Sequence, residues 1–313
     1  MGNLLDVGSL IAEPGTKVQG FVKIVNTDYA IPVTLINGHK EGKTISITGG
    51  VHGGEYPGIE TSIRLAKIIE PKDVTGKLII VHPANVESFF AKLQYVNPLD
   101  GKNLNRVFPG IATGTFTEKL AYTISTEVYG KSDFYIDMHG GDIHESLIPF
   151  VIYPRIGKDE NIKLSKEAAS MVGIKYVLGS LSETGSIGSA ALKGVPGFLV
   201  EIGRDGLWSE DEVAVYIDGL LNVLKYLKVL EGVPKTCDIE YFDSMKGKNA
   251  EEKGLWYPSI KPGDKVLIGD KLGEIRDFFT NILGEYYATE DGVVLYVASS
   301  LSINVGDPLY AWA

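Results

Sequence analysis

KTISITGGVHGGEYPGIETSIRLAKIIEPKDVTGKLIIVHP, residues 43–83, carries the pattern on which the fold turns. It opens on a short apolar run, TISITGG (44–50), and closes on a second, KLIIVHP (77–83). Between them apolar residues at Ile59, Ile63, Leu65, Ala66 and Ile69 recur close to the helical period, and Pro57 stands where a helix starts. Proline suits a first turn because the N–H it lacks would have no partner there.

Working outward, DFYIDMH (133–139), LIPFVIY (147–153) and GFLVEIG (197–203) repeat the buried-strand pattern. Helical patterns fall at about 116–130, 160–172 and 185–193, and a clear one runs from Ser209 to Leu230. Near-continuous apolar strands alternating with helices predict an α/β fold: a mixed, largely parallel sheet covered on both faces. Residues 17–37 alternate apolar and polar around Asn26-Thr27-Asp28, which predicts an edge hairpin ahead of the main sheet. After Gly232-Val233-Pro234 the helical period stops. Short β-rich runs follow, divided by Gly-Asp and Asp-Gly turns at 263–264, 269–270, 291–292 and 306–307. The expected organisation is therefore an α/β domain over 1–235 and a small all-β domain over 236–313.

The chain has 313 residues, 44% hydrophobic and 22% charged, the make-up of a globular protein with ample length for a core. A formal charge of −10 argues against nucleic-acid or anionic-membrane partners, which need a basic face. An anionic substrate would need a local basic pocket. One cysteine, Cys237, excludes an intrachain disulfide and a Cys-rich zinc site, so a metal would take His and carboxylate ligands. Cys237 itself reads as a linker residue. MGNLLDVGSLIAEPG has no basic flank or long apolar run, and Asp6 breaks the N-terminal lipidation pattern of a Met-Gly start. The expectation is a cytoplasmic protein with no membrane segment.

GGVHGGEYPG (49–58) is the sharpest local feature. His52 and Glu55, three apart, can face one point, and the glycines let backbone pack close to it. Zinc accepts imidazole nitrogen with carboxylate oxygen, and a catalytic site takes three protein ligands and leaves a position open. His139, at the carboxyl end of DFYIDMH, is the candidate third ligand, because such strand ends share one edge of an α/β sheet. Hydrolysis at such a site also needs a base. Glu201 emerges from the apolar run of VPGFLVEIG, where desolvation would raise its pKa as a proton shuttle requires. NPLDGKNLNRVFPG (97–110) offers Lys102, Asn103, Asn105 and Arg106, and an Arg beside an Asn makes a fork for a carboxylate. Taken singly, each of these residues is as well read as structural.

Taken together, HGGE (52–55), NLNRVFPG (103–110), DMHGG (137–141) and VEIGRDG (200–206) resemble, in order and in sheet context, the succinylglutamate desuccinylase and aspartoacylase family, which is related to the zinc carboxypeptidases. The resemblance spans nearly the whole chain, since that family also continues into a small β-domain. It implies one zinc per chain on His52, Glu55 and His139, with Glu201 as general base and proton donor and Asn105 and Arg106 holding a substrate carboxylate. The activity it implies is hydrolysis of the amide of an N-acyl amino acid or a related small, anionic molecule. Two alternatives remain open: a carboxypeptidase acting on short peptides, and a metal-binding member with little turnover.

The sequence departs from the family pattern at two positions. Gln94 precedes Tyr95 where many relatives carry an Arg that polarises the scissile carbonyl, so Gln94, Lys102 and Arg204 are its candidate replacements. Asn103 stands where relatives commonly have the Asp that orients a ligand histidine, which predicts a metal that is bound but more readily lost. Asp137, two residues before His139, is a further candidate for that orienting role. The β-domain resembles biotinyl and lipoyl carriers in shape, but Glu290-Asp291-Gly292 lacks the lysine that would take the cofactor, so it is expected to serve as a wall or lid.

Overall fold

The protein is described by a computed structural model over residues 4–313; the Met1-Gly2 start lies outside the described residues. Its frame is a nine-stranded sheet in the order Glu240–Phe242, Tyr176–Ser180, Phe150–Pro154, Gly197–Glu201, Phe134–His139, Lys40–Gly49, Thr75–Pro83, Ala30–Asn37 and Thr16–Lys23. Five of its eight neighbouring pairs are parallel. The mixed sheet with flanking helices is as the sequence predicts, and Thr16–Lys23 with Ala30–Asn37 is the edge hairpin.

The alternation of side chains along each strand builds two cores. Phe134, Ile136 and Met138 face one side with Phe198 and Val200, while Tyr135 and Leu199 face the other. Burying each such side chain contributes about 1.5–3 kcal/mol. The first face is covered by the helices Tyr56–Ile68, Asp159–Ser170 and Glu210–Tyr226. The last of these turns Tyr216, Leu220, Val223 and Leu224 inward at helical spacing. Ser209 caps it by accepting a hydrogen bond from the Glu212 N–H at 3.3 Å, and Glu210, Asp211 and Glu212 complement the positive end of the helix dipole.

The structure differs from the sequence reading in several places. The single strand expected over 147–153 is two, Glu145–Leu147 and Phe150–Pro154, and Glu240–Phe242, expected in the β-domain, pairs with Tyr176–Ser180 at the edge of the main sheet. The helix expected over 116–130 is α-helical only over Phe116–Thr123; it widens to a π turn at Ile124–Val128 and tightens at Tyr129–Lys131. The Ser125 and Thr126 hydroxyls both donate to the Tyr122 carbonyl at 2.9 Å, drawing that acceptor away from the regular ladder. Tyr176–Ser180 is a strand that no sequence pattern announced.

Beyond Glu240–Phe242, two smaller sheets enclose a core containing Trp256, Tyr286, Tyr310 and Trp312. The short strand Glu145–Leu147 leaves the main fold and pairs antiparallel with Gly292–Ala298 of this region. Leu295 packs with Phe150 and Leu178, so the two parts also share apolar contact.

Candidate active site

Parallel register brings the chemistry to one edge. Glu201 lies directly beside His139, and Gly49 beside Met138, so the carboxyl ends of three neighbouring strands come level. The Tyr216 hydroxyl donates to the carbonyls of His139 and Val200, pinning two of these ends together. His52 and Glu55 follow Gly49 in a loop that only glycine can make. A Cβ on Gly53 would sit 2.2 Å from the Phe89 nitrogen, and one on Gly54 2.0 Å from Asp142 Oδ1.

His52 Nδ1 is 2.6 Å from Glu55 Oε1, and His139 Nδ1 is 2.9 Å from Glu55 Oε2. The far nitrogen of each ring is held by an acceptor: His52 Nε2–H donates to Asn103 Oδ1 at 3.1 Å, and His139 Nε2–H to Asp137 Oδ2 at 3.0 Å. Each ring therefore turns Nδ1 toward Glu55. Glu55 Oε2 is buried and, despite its closeness to His139, is not aligned with it for a hydrogen bond. One donor atom from each residue lies within 4.8 Å of the others. Two imidazoles and a buried, unbonded carboxylate oxygen converging in this way fit a cation among them. Electrostatics agree with the geometry. Burial opposes charge on both histidines, yet Glu55, helped at His139 by Asp137, outweighs it and raises both pKa values.

Asp137 is buried and also accepts from Thr48 Oγ1 at 2.5 Å and from the Ser186 hydroxyl, which fixes the carboxylate that orients His139. Burial pushes Glu201 well above the usual carboxylate range. His139 opposes that shift, while Glu55 and Glu145 add to it. Asn105 and Arg106 reach the same pocket of about 480 Å³. Asn105 Oδ1 accepts from the Ser186 N–H at 2.9 Å, and Arg106 is the one Lys or Arg lining the pocket among the described residues.

The residues considered as replacements for the missing Arg are not brought to the pocket. Gln94, Lys102 and Arg204 are absent from its lining, and the Lys102 ammonium is engaged by Glu118 at 2.8 Å. Tyr95, the neighbour of Gln94, lines it instead.

Residues 41–227 match the profile of the succinylglutamate desuccinylase/aspartoacylase catalytic domain. The chain belongs to that family. Its relatives include an N-alpha-acetyl-L-2,4-diaminobutyric acid deacetylase from Halomonas elongata, 29% identical over 289 residues that cover 89% of this chain and 84% of the relative. Among solved structures it resembles the product-bound ectoine utilization protein of Ruegeria pomeroyi, with a TM-score of 0.85, 27% identity and coverage of 95% and 94%. It also resembles a succinylglutamate desuccinylase/aspartoacylase from Rhodobacter sphaeroides, with a TM-score of 0.84, 25% identity and the same coverage.

In this member of the succinylglutamate desuccinylase/aspartoacylase family the pocket includes groups that sequence reasoning missed. Glu145 lies on the short strand after Gly140-Gly141, and Asn249, Tyr296 and Tyr310 come from the C-terminal sheets. An acid opening the apolar run ESLIPF was the only local signal for Glu145. The C-terminal residues enter through long-range strand pairing, which leaves no mark in sequence spacing.

Proposed function

We propose that the protein is a zinc-dependent deacylase that hydrolyses the amide of an N-acyl amino acid bearing a free carboxylate. The observation that carries this reading is the convergence of His52, Glu55 and His139 beside Glu201 on one sheet edge. The relative from Halomonas, a deacetylase of an N-acetyl amino acid, supports the same substrate class.

In this reading the metal is held by His52, Glu55 and His139, one per chain. Zinc bound there supplies Lewis acidity, polarising a carbonyl and lowering the pKa of water. The rest falls to the chain's own groups. Arg106 holds the substrate carboxylate and so orients the amide over the sheet edge. Glu201 takes the proton of the attacking water and passes it to the departing nitrogen, making the amine a competent leaving group. Burial favours the protonated form of Glu201, and a dication held by His52, Glu55 and His139 would favour the ionised form in which Glu201 can act as a base. Asn103 and Asp137 keep both imidazoles in the required orientation. The β-rich region acts as a wall that limits water and shapes the substrate's far end.

The test is a panel of N-acetyl, N-succinyl and N-formyl amino acids with zinc-loaded protein, followed by chelation. Turnover that disappears with chelator and returns with zinc is expected. Turnover indifferent to chelator, or confined to peptides, would overturn the reading.

A further inference from the structure

Three glutamates line the pocket, and two have work: Glu55 with the histidines and Glu201 beside them. The third, Glu145, has none in the reaction. Its position is nonetheless built. One carboxylate oxygen accepts from the Tyr95 hydroxyl, the other from the Asp142 N–H at 3.0 Å, and its backbone is held in the strand pairing with Gly292–Ala298. Among the described residues it has no ion pair, and burial pushes its carboxyl up to about 7. The neighbouring Asp142 also accepts a hydrogen bond at each oxygen, from the backbone N–H groups of Tyr95 at 2.8 Å and Ile143 at 2.7 Å, but it does not line the pocket, whereas Glu145 does.

We infer that Glu145 is the receptor for an ammonium group on the substrate's side chain, so that the preferred substrate is an Nα-acyl diamino acid. The inference rests on the deacylase reading above and adds the identity of the amine. The pocket presents one guanidinium, Arg106, and one unused carboxylate, Glu145, as a substrate with a carboxylate and a side-chain ammonium requires. Residues two apart on a strand face the same way, so Leu147 stands beside Glu145, and Phe150 also lines the pocket. Apolar surface next to a fixed carboxylate suits methylenes that end in a cation. The phenol of Tyr95 directs the carboxylate, and an arriving ammonium supplies the counter-charge that the protein withholds.

The experiment compares isosteric pairs on zinc-loaded protein: Nα-acetyl-ornithine against Nα-acetyl-norvaline, and Nα-acetyl-lysine against Nα-acetyl-norleucine, with Nα-acetyl-glutamate as the anionic control. A charge-assisted contact predicts kcat/KM roughly 10- to 100-fold higher for the cationic member of at least one pair. In Glu145→Gln, which keeps an acceptor for Tyr95, that ratio should fall to near one. Equal rates within both pairs, or a ratio that Glu145→Gln leaves intact, would overturn the ammonium site while leaving deacylation standing. If no amide in the panel is cleaved, the deacylase reading falls. The site is then judged by calorimetric binding of ornithine against norvaline to wild type and Glu145→Gln, where a wild-type preference for ornithine that the variant loses upholds it, and equal binding rejects it.

Discussion

At the scale of single residues, the proposed roles separate by what each substitution should spare. Glu201→Gln should keep fold and metal, since the three candidate ligands lie elsewhere, yet lower kcat by roughly 10²- to 10⁴-fold, the range for losing general acid–base catalysis. Metal content by elemental analysis alongside kcat decides it, and a variant retaining more than about a tenth of the rate would move the base elsewhere. Because burial raises Glu201 and a base must be ionised, kcat/KM should climb with pH through its pKa, giving the acidic limb of the profile. Asn103 offers a finer test. It accepts from His52 Nε2 and from the Asn105 N–H at 2.8 Å, so Asn103→Asp preserves both bonds and adds a charge. Zinc should leave that variant more slowly under chelator, and Asn103→Leu should weaken affinity by roughly 10- to 100-fold. Glu201 was legible because it ends an apolar run, and Asn103 because it stands in a loop motif of the family that the chain resembles. Glu145 was not, because its meaning depends on Tyr95 and on a strand some 150 positions further along the chain.

At the scale of elements, two local packings make measurable demands. His82, near the end of the strand Thr75–Pro83, lies 2.8 Å from Thr34 Oγ1 and 3.4 Å from Ser62 Oγ, and burial lowers its pKa from 6.5 to about 4. A lowered histidine pKa means that the unfolded chain takes up a proton first. Stability is thus unaffected above 6.5, declines as pH falls from there toward 4, and levels off below. Between pH 7.5 and pH 5 the loss is about 2 kcal/mol, and urea titrations of wild type and His82→Gln should differ in pH dependence by that amount. Equal dependence in the two proteins would exclude His82 as the source. The loop before Tyr56–Ile68 is the second case. Gly53→Ala drives a methyl against the Phe89 backbone and should cost about 1–3 kcal/mol while weakening metal binding through displacement of His52. The strand–helix alternation was readable because long amphipathic elements carry their period in the sequence. Tyr176–Ser180 escaped because five residues around Gly179 are too few to show one. The π turn escaped because a hydroxyl competing for one carbonyl is set by rotamers, not by composition.

At the scale of the whole molecule, the sheet and the β-rich region share the pairing of Glu145–Leu147 with Gly292–Ala298 and the contacts of Leu295 with Phe150 and Leu178. They should therefore unfold together. Calorimetry should show one transition, and two well-separated ones would mean that the shared strand does not couple them. No helix is long and apolar enough to cross a membrane among the described residues. The pocket's two sides come from distant stretches of chain, with His52 to Glu201 on one side and Asn249, Tyr296 and Tyr310 on the other. That separation has a temporal side. At ordinary translation speeds the interval between making Glu201 and making Tyr310 is on the order of 5 to 20 s. During it the nascent chain already carries His52, Glu55 and His139 while the far wall is unmade, so nothing from Asn249 to Tyr310 yet stands between those side chains and the surrounding solution. On the zinc reading proposed above, metal capture would be easiest on the ribosome, and cell-free synthesis with zinc present throughout should give fuller loading than zinc added after release.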